Sequence, residues 1–159
     1  MLRSYPKIKF LLVGSGPERD KLLNLTKDLN LSNVKFLEVV PKEEMPRIVS
    51  SCSVAIIPLK KLDLFKGAIP SKIFENLAMQ KPIILGVEGE AKELFIDEGK
   101  CGLSFFPEDE KDLAAKVLLL FEAPEVCEEL GKNAREYVSL HFNRDVLADK
   151  FVEQLKHVR

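Results

Sequence analysis

Pro70-Ser71-Lys72-Ile73-Phe74-Glu75 is the stretch of this chain whose residue types and spacing best suit chemistry. Proline is favoured at the first helical position, where its missing N–H costs nothing. A helix is therefore expected from about Pro70, with the amides of Ser71, Lys72 and Ile73 free at its positive end. Such an end attracts phosphate, and the Lys72 ammonium adds a full charge to it. Ser71, Lys72 and Glu75, at i, i+1 and i+4, share one polar face, while Ile73, Phe74, Leu77 and Ala78 make the apolar one. This arrangement could hold a diphosphate at the helix start while a carboxylate one turn on accepts hydrogen bonds from a sugar. A surface helix of any α/β protein can also begin Pro-Ser and carry a Lys and a Glu. On these residues alone both readings stand.

The elements that must position this helix alternate along the chain. Strands are expected near 8–13, 34–39, 53–58 and 82–86, with a short one near 102–105. Helices are expected over 17–29, 42–51, 70–79, 90–98 and 109–122, and then over 124–140 and 144–157 as a helical tail. Strand-helix alternation predicts a Rossmann-like α/β fold, a parallel sheet with helices on both faces. Phe10-Leu11-Leu12-Val13 and Pro82-Ile83-Ile84-Leu85 are wholly apolar, which predicts strands buried on both faces. Leu59 to Ile69 is a loop holding Lys60, Lys61, Asp63 and Lys66. A loop beyond a strand's carboxyl end is where open α/β sheets bind ligands. Leu130, Ala134, Tyr137 and Val138, and then Leu147, Phe151 and Leu155, recur at helical spacing and are read as packing.

Composition narrows the class. A chain of 159 residues with 46% hydrophobic and 31% charged residues suits one soluble globular domain, expected over 1–159 with its tail from 124. A net charge of −1 argues against nucleic-acid binding, which needs a basic excess. No apolar run approaches the roughly 18 residues of a membrane span, and no leader peptide is visible, so cytoplasm is the expectation. Three cysteines, Cys52, Cys101 and Cys127, have no metal-like spacing and read as free thiols. His141 and His157 belong to no ligand set, so neither metal nor cofactor is expected.

Gly14-Ser15-Gly16 after an apolar strand could let the backbone approach a phosphate. No Gly-Lys-Ser/Thr follows it, and Arg19 stands where a dinucleotide fingerprint has its third glycine. A tight strand-to-helix turn reads the same way. Glu88, Glu90 and Glu93 could do acid/base work, but acids also favour the first turn of a helix starting near Glu90.

In this order, Lys9 to Pro17, Val34 to Pro41, Ser53 to Leu59, Pro70 to Gly86 and Gly89 to Leu94 resemble the donor-binding half of retaining glycosyltransferases of the GT-B fold, family 4 (group 1). The resemblance runs from about Ile8 to Phe106. That family carries a Glu followed, after seven residues, by a second Glu. The second falls on Glu75 and would bind the ribose hydroxyls of the nucleotide. The first falls on Gly67, so this chain lacks a side chain that contacts the transferred sugar in many members. Pro70 replaces a usual glycine, and Lys72 would supply charge that a backbone amide supplies elsewhere. Gly14 and Gly16 would line the donor cleft, and the backbone around Val39, Val40 and Pro41 would meet the base.

The resemblance implies donor-binding residues Gly14, Gly16, Gly67, Ser71, Lys72, Ile73 and Glu75, with Lys72 acting electrostatically on the leaving diphosphate. It implies a nucleotide-diphosphate sugar, UDP-linked, as donor and a glycan or lipid-linked acceptor in surface polysaccharide synthesis. Metal is not expected. Met1 to Pro6 resembles the end of a helix whose preceding strand and basic loop are absent. The chain therefore reads as a fragment, inactive alone, whose partner is the missing N-terminal acceptor-binding half. The resemblance also allows peripheral association of the full-length enzyme with the inner face of a membrane. Two alternatives remain at this point: another GT-B enzyme, such as a nucleotide-sugar epimerase or an inverting transferase, and a non-catalytic α/β interaction domain.

Overall fold

The computed structural model describes residues 4–157. Of the stretch Met1 to Pro6 read as a helix end, Met1 to Arg3 lie outside the described residues, and Ser4 to Pro6 form no helix. The chain divides into two compact units, residues 1–48 and 49–159. The first holds strand β1 (Phe10–Val13), helix α1 (Arg19–Asp28) and strand β2 (Val34–Leu37). β1 and β2 pair in parallel, Phe10 opposite Val34 and Val13 opposite Leu37. Asn33, the one buried polar side chain among the described residues, fastens this pair by donating its side-chain amide to the Ile8 carbonyl at 2.8 Å. A 3₁₀ turn, Lys42–Glu44, leads into helix α2, Met45–Ser51.

In the second unit β3 (Ala55–Pro58), β4 (Ile83–Gly86) and β5 (Gly102–Ser104) form a parallel sheet with β4 central. Helix α3 (Lys72–Ala78) is the crossover between β3 and β4. Helix α4 (Glu90–Lys92) continues as a π-helical stretch, Glu93–Glu98, and leads to β5. Helices α5 (Glu110–Glu122), α6 (Pro124–His141) and α7 (Arg144–Lys156) complete the unit. α3 packs on β3, β4 and α6, and α5 packs on β4 and α6.

The predicted alternation is present: parallel strands with helices on both sides, an α/β Rossmann-like architecture. Among the described residues the strands hydrogen-bond as two parallel sheets where one was expected. All of β4 is buried, as its apolar run predicts. β1 is only half-buried along its length. The two strands differ in position: β4 has a hydrogen-bonded neighbour on each side, whereas β1 has one.

The core lies in the second unit, around Ile57, Ile73, Leu77, Ile83, Leu85 and Phe95. Phe95 meets Phe74 edge-on, with centroids 5.4 Å apart, and Phe142 at 5.4 Å. Phe74 and Phe142 are 5.2 Å apart, so one aromatic cluster joins α3, the π-helical stretch and the end of α6. α6 closes tightly on the end of α3. Arg135 donates to the Ala78 carbonyl, and a Cβ on Gly131 would stand 2.7 Å from the Gln80 carbonyl oxygen.

Candidate functional site

α3 starts at the carboxyl edge of its sheet and runs back along it, because β3 and β4 are parallel and the chain enters the helix from the end of β3. Its inner face is fixed: Ile73 and Leu77 have no exposed surface, and Phe74 is half-buried in the aromatic cluster. Ser71, Lys72 and Glu75 are exposed on the other face, as their spacing predicts. The helix begins at Lys72, with Ser71 as its cap, a little later than the expected start at Pro70. The Ile73 amide is not free as expected. It donates to the Pro70 carbonyl at 3.0 Å, because the chain closes a tight first turn before the α-helix proper. The Ile73 side chain serves the core. Glu75 also has its amide engaged, by the Ser71 carbonyl at 3.4 Å.

Gly67 ends a 3₁₀ turn, Asp63–Gly67, and a Cβ built there would meet nothing within 4 Å. Packing therefore does not demand a glycine at this position. Gly89 is the opposite case. Its φ is +84°, and a Cβ there would collide with the Lys66 carbonyl. The turn after β4 and the loop after β3 thus touch backbone to backbone.

Between them lies a cleft of about 360 Å³ beyond the carboxyl ends of the strands. Lys60, Lys61, Asp63 and Lys66 line it from the first loop, and Val87, Glu88 and Pro107 from the turns after β4 and β5. Lys66 and Asp63 form an ion pair at 2.8 Å. That hydrogen bond holds the Asp63 carboxyl below its usual range and raises the Lys66 ammonium, with a smaller contribution from the Glu88 charge. Ser71, Lys72 and Glu75 do not line this cleft. The four charged loop residues were legible as a ligand loop. Val87, Glu88 and Pro107 were not, because only the sheet brings them to it. Glu88, read as a helix-start acid, faces the cleft instead.

In the first unit Gly14 has φ +126°, a region that favours glycine, and donates its amide to the Leu37 carbonyl at 3.1 Å. A Cβ on Gly16 would meet nothing within 4 Å. Arg19 pairs with Glu38 at 2.5 Å, beside the turn. His141 is exposed and lies 4.6 Å from the Tyr137 ring. Among the described residues no group of three or more His, Cys, Asp or Glu could hold a metal ion, and no helix is long and apolar enough to cross a membrane.

A sequence model of the glycosyl transferases group 1 family matches residues 1–137. The chain belongs to that family. An uncharacterized glycosyltransferase of Methanocaldococcus jannaschii is 29% identical over 128 residues, covering 80% of this chain and 35% of the relative. The fold is shared with sucrose-phosphate synthase of Thermosynechococcus elongatus, at a TM-score of 0.76 and 25% identity, over 93% of this chain and 38% of that one. It is shared equally with HepE of Anabaena, solved with UDP and with UDP-glucose. For the UDP complex the TM-score is 0.78 at 22% identity, over 96% of this chain and 42% of that one. The chain spans about a third of the length of the curated relatives it matches (35%, 26% and 36%).

Proposed function

We propose that this chain is the donor-binding part of a longer, retaining family 4 glycosyltransferase, and that it holds the nucleotide-diphosphate portion of a UDP-linked sugar. The observation that carries the reading is the α3 face. Ser71, Lys72 and Glu75 are exposed together at the sheet's carboxyl edge, on a helix whose opposite face is locked into the core. In this reading the Ser71 and Lys72 amides and the Lys72 ammonium meet the diphosphate. Glu75, one turn on, accepts hydrogen bonds from the ribose hydroxyls. Charge that grows on the departing diphosphate is stabilised by groups already in place, which lowers the barrier without a proton transfer. Glu75 orients and does not act as an acid or base.

UDP bound to HepE supports the choice of nucleotide, and the share of each relative covered supports a longer protein, whose acceptor-binding half is assigned by the family resemblance alone. Gly67 is assigned to the sugar end of the donor. Gly14 and Gly16 are assigned by the family resemblance alone, and Ile73 retains a structural part only. The whole enzyme would add its sugar to a glycan or lipid-linked acceptor in surface polysaccharide synthesis, in the cytoplasm or at the inner face of the membrane. The test is product stereochemistry: the full-length enzyme, given a UDP-sugar it turns over, should form the same anomer as the donor carries. An inverted product would refute the retaining assignment.

A further inference from the structure

Cys52 and Cys127 come to the amino edge of the second sheet, the end opposite the start of α3 and the cleft. The Cys52 amide closes the end of α2 by donating to the Val49 carbonyl at 3.0 Å, and residues 52–54 form the turn into β3. Side chains from two other elements hold the chain on either side of Cys52. Lys81, just before β4, donates its ammonium to the Ser50 carbonyl at 2.9 Å. Cys127, in the first turn of α6, donates its thiol to the Ser53 carbonyl at 3.8 Å. The Cys127 sulfur thus rests one residue from Cys52. Both cysteines are half-buried, so a small reagent reaches them, whereas Cys101 has no exposed surface. Burial pushes the Cys127 thiol up, and the Lys81 charge pulls it the other way. The amino end of α6 favours a thiolate as well. A cation beside a thiol that a reagent can reach is the setting in which cysteines exchange with disulfides.

We propose that Cys52 and Cys127 are a redox pair, which a small disulfide of the glutathione class oxidises to a bond that fastens α6 to the α2–β3 turn. The Cys127 thiolate attacks one sulfur of the reagent, forming a mixed disulfide and releasing one thiol. The Cys52 thiolate then attacks the Cys127 sulfur and releases the second thiol. The two cysteines lose two protons and two electrons, and the S–S bond of the reagent takes them up as two thiols. A disulfide asks for Cα atoms about 4.4–6.8 Å apart. Residues 52–54 belong to neither helix nor strand, so the turn can close to that distance without disturbing α6 or β3. The loop that the bond closes contains β3, α3, β4, β5 and α5, so the bond acts on the stability of this whole unit. None of this depends on the donor reading.

The test is intact-mass measurement of the 159-residue chain, incubated folded with oxidised glutathione and then quenched in acid. Wild type should lose the mass of two hydrogens, and peptide mapping should join the Cys52 and Cys127 peptides. Cys52→Ser and Cys127→Ser should form no internal bond and at most carry one glutathione on the remaining thiol. Lys81→Gln should slow the exchange several-fold, and added salt should slow wild type more than this variant. Oxidation should raise the melting midpoint of wild type by about 4–16 °C, a rise reversed by dithiothreitol and absent from either serine variant. The proposal is overturned if no thiol reacts, if wild type stops at a glutathione adduct, or if the bond includes Cys101. A bond that forms without raising the midpoint would overturn its fastening role.

Discussion

Leu77 and Glu75 lie two residues apart on α3 and should respond to truncation in opposite ways. Leu77 has no exposed surface and packs in the core beneath β3 and β4. Leu77→Ala removes three buried carbons and leaves a cavity that Phe74, Ile73 and the α6 contact hold open. Buried leucines truncated in this way cost about 2.7–5 kcal/mol, and the aromatic cluster here has little freedom to collapse. At roughly 2–4 °C per kcal/mol for a chain of this size, the midpoint should fall by about 5–20 °C. Glu75 is exposed and forms no ion pair among the described residues, so Glu75→Ala should change stability by no more than about 0.5 kcal/mol. It should nevertheless weaken UDP about tenfold or more, as loss of hydrogen bonds to a charged acceptor implies. Urea unfolding of the two variants and the wild type, followed by circular dichroism, gives the stabilities. UDP titration of the folded proteins gives the affinities. A Leu77→Ala loss under ~1 kcal/mol, or a Glu75→Ala loss above it, would refute the assignment of an inner structural and an outer binding face.

Two further outcomes test the packing around the site. Gly102→Ala would drive its Cβ into the Ile83 carbonyl between β4 and β5, so it should destabilise by about 2 kcal/mol or more; Gly67→Ala, with nothing within 4 Å, should stay within ~0.5 kcal/mol, and equal effects in thermal melts would contradict the geometry. Burial pushes the Cys101 thiol up from the ordinary value of 9.0 to about 12. Between these values the unfolded chain loses a proton that the folded chain keeps. This contribution is therefore present below pH 9 and is lost, at up to about 1.4 kcal/mol per pH unit, as pH rises towards 12. Urea unfolding across that range should fall more steeply in wild type than in Cys101→Ala, and parallel profiles would rule out the buried thiol as the cause.

Much of this architecture is written in local patterns. Wholly apolar Ile83 to Leu85 reads as a strand buried on both faces and is one, although the same reading failed for Phe10 to Val13, and the alternation of Ile73 and Leu77 with Lys72 and Glu75 assigned two faces of α3. The π-helical stretch over Glu93–Glu98 was not legible, because its apolar spacing also fits an α-helix. Its widening shows in the bond from the Gly99 amide to the Leu94 carbonyl at 2.9 Å, five residues back. The engaged Ile73 amide was missed for a similar reason: propensity places a helix start but does not say how the first turn closes. The cleft was half legible. Lys60 to Lys66 sit in one loop, but Glu88 and Pro107 reach it only through the order of the strands.

The central claim is that the Ser71–Glu75 face binds a nucleoside diphosphate. Titration of the ¹⁵N-labelled chain with UDP, GDP and ADP tests it most directly, since amide shifts register even millimolar binding. The account predicts that UDP moves the amides of Ser71, Lys72 and Glu75 more than the other two nucleotides do, and that Glu75→Ala blunts the response. Amides at this face unmoved by all three nucleotides at millimolar concentration would contradict it.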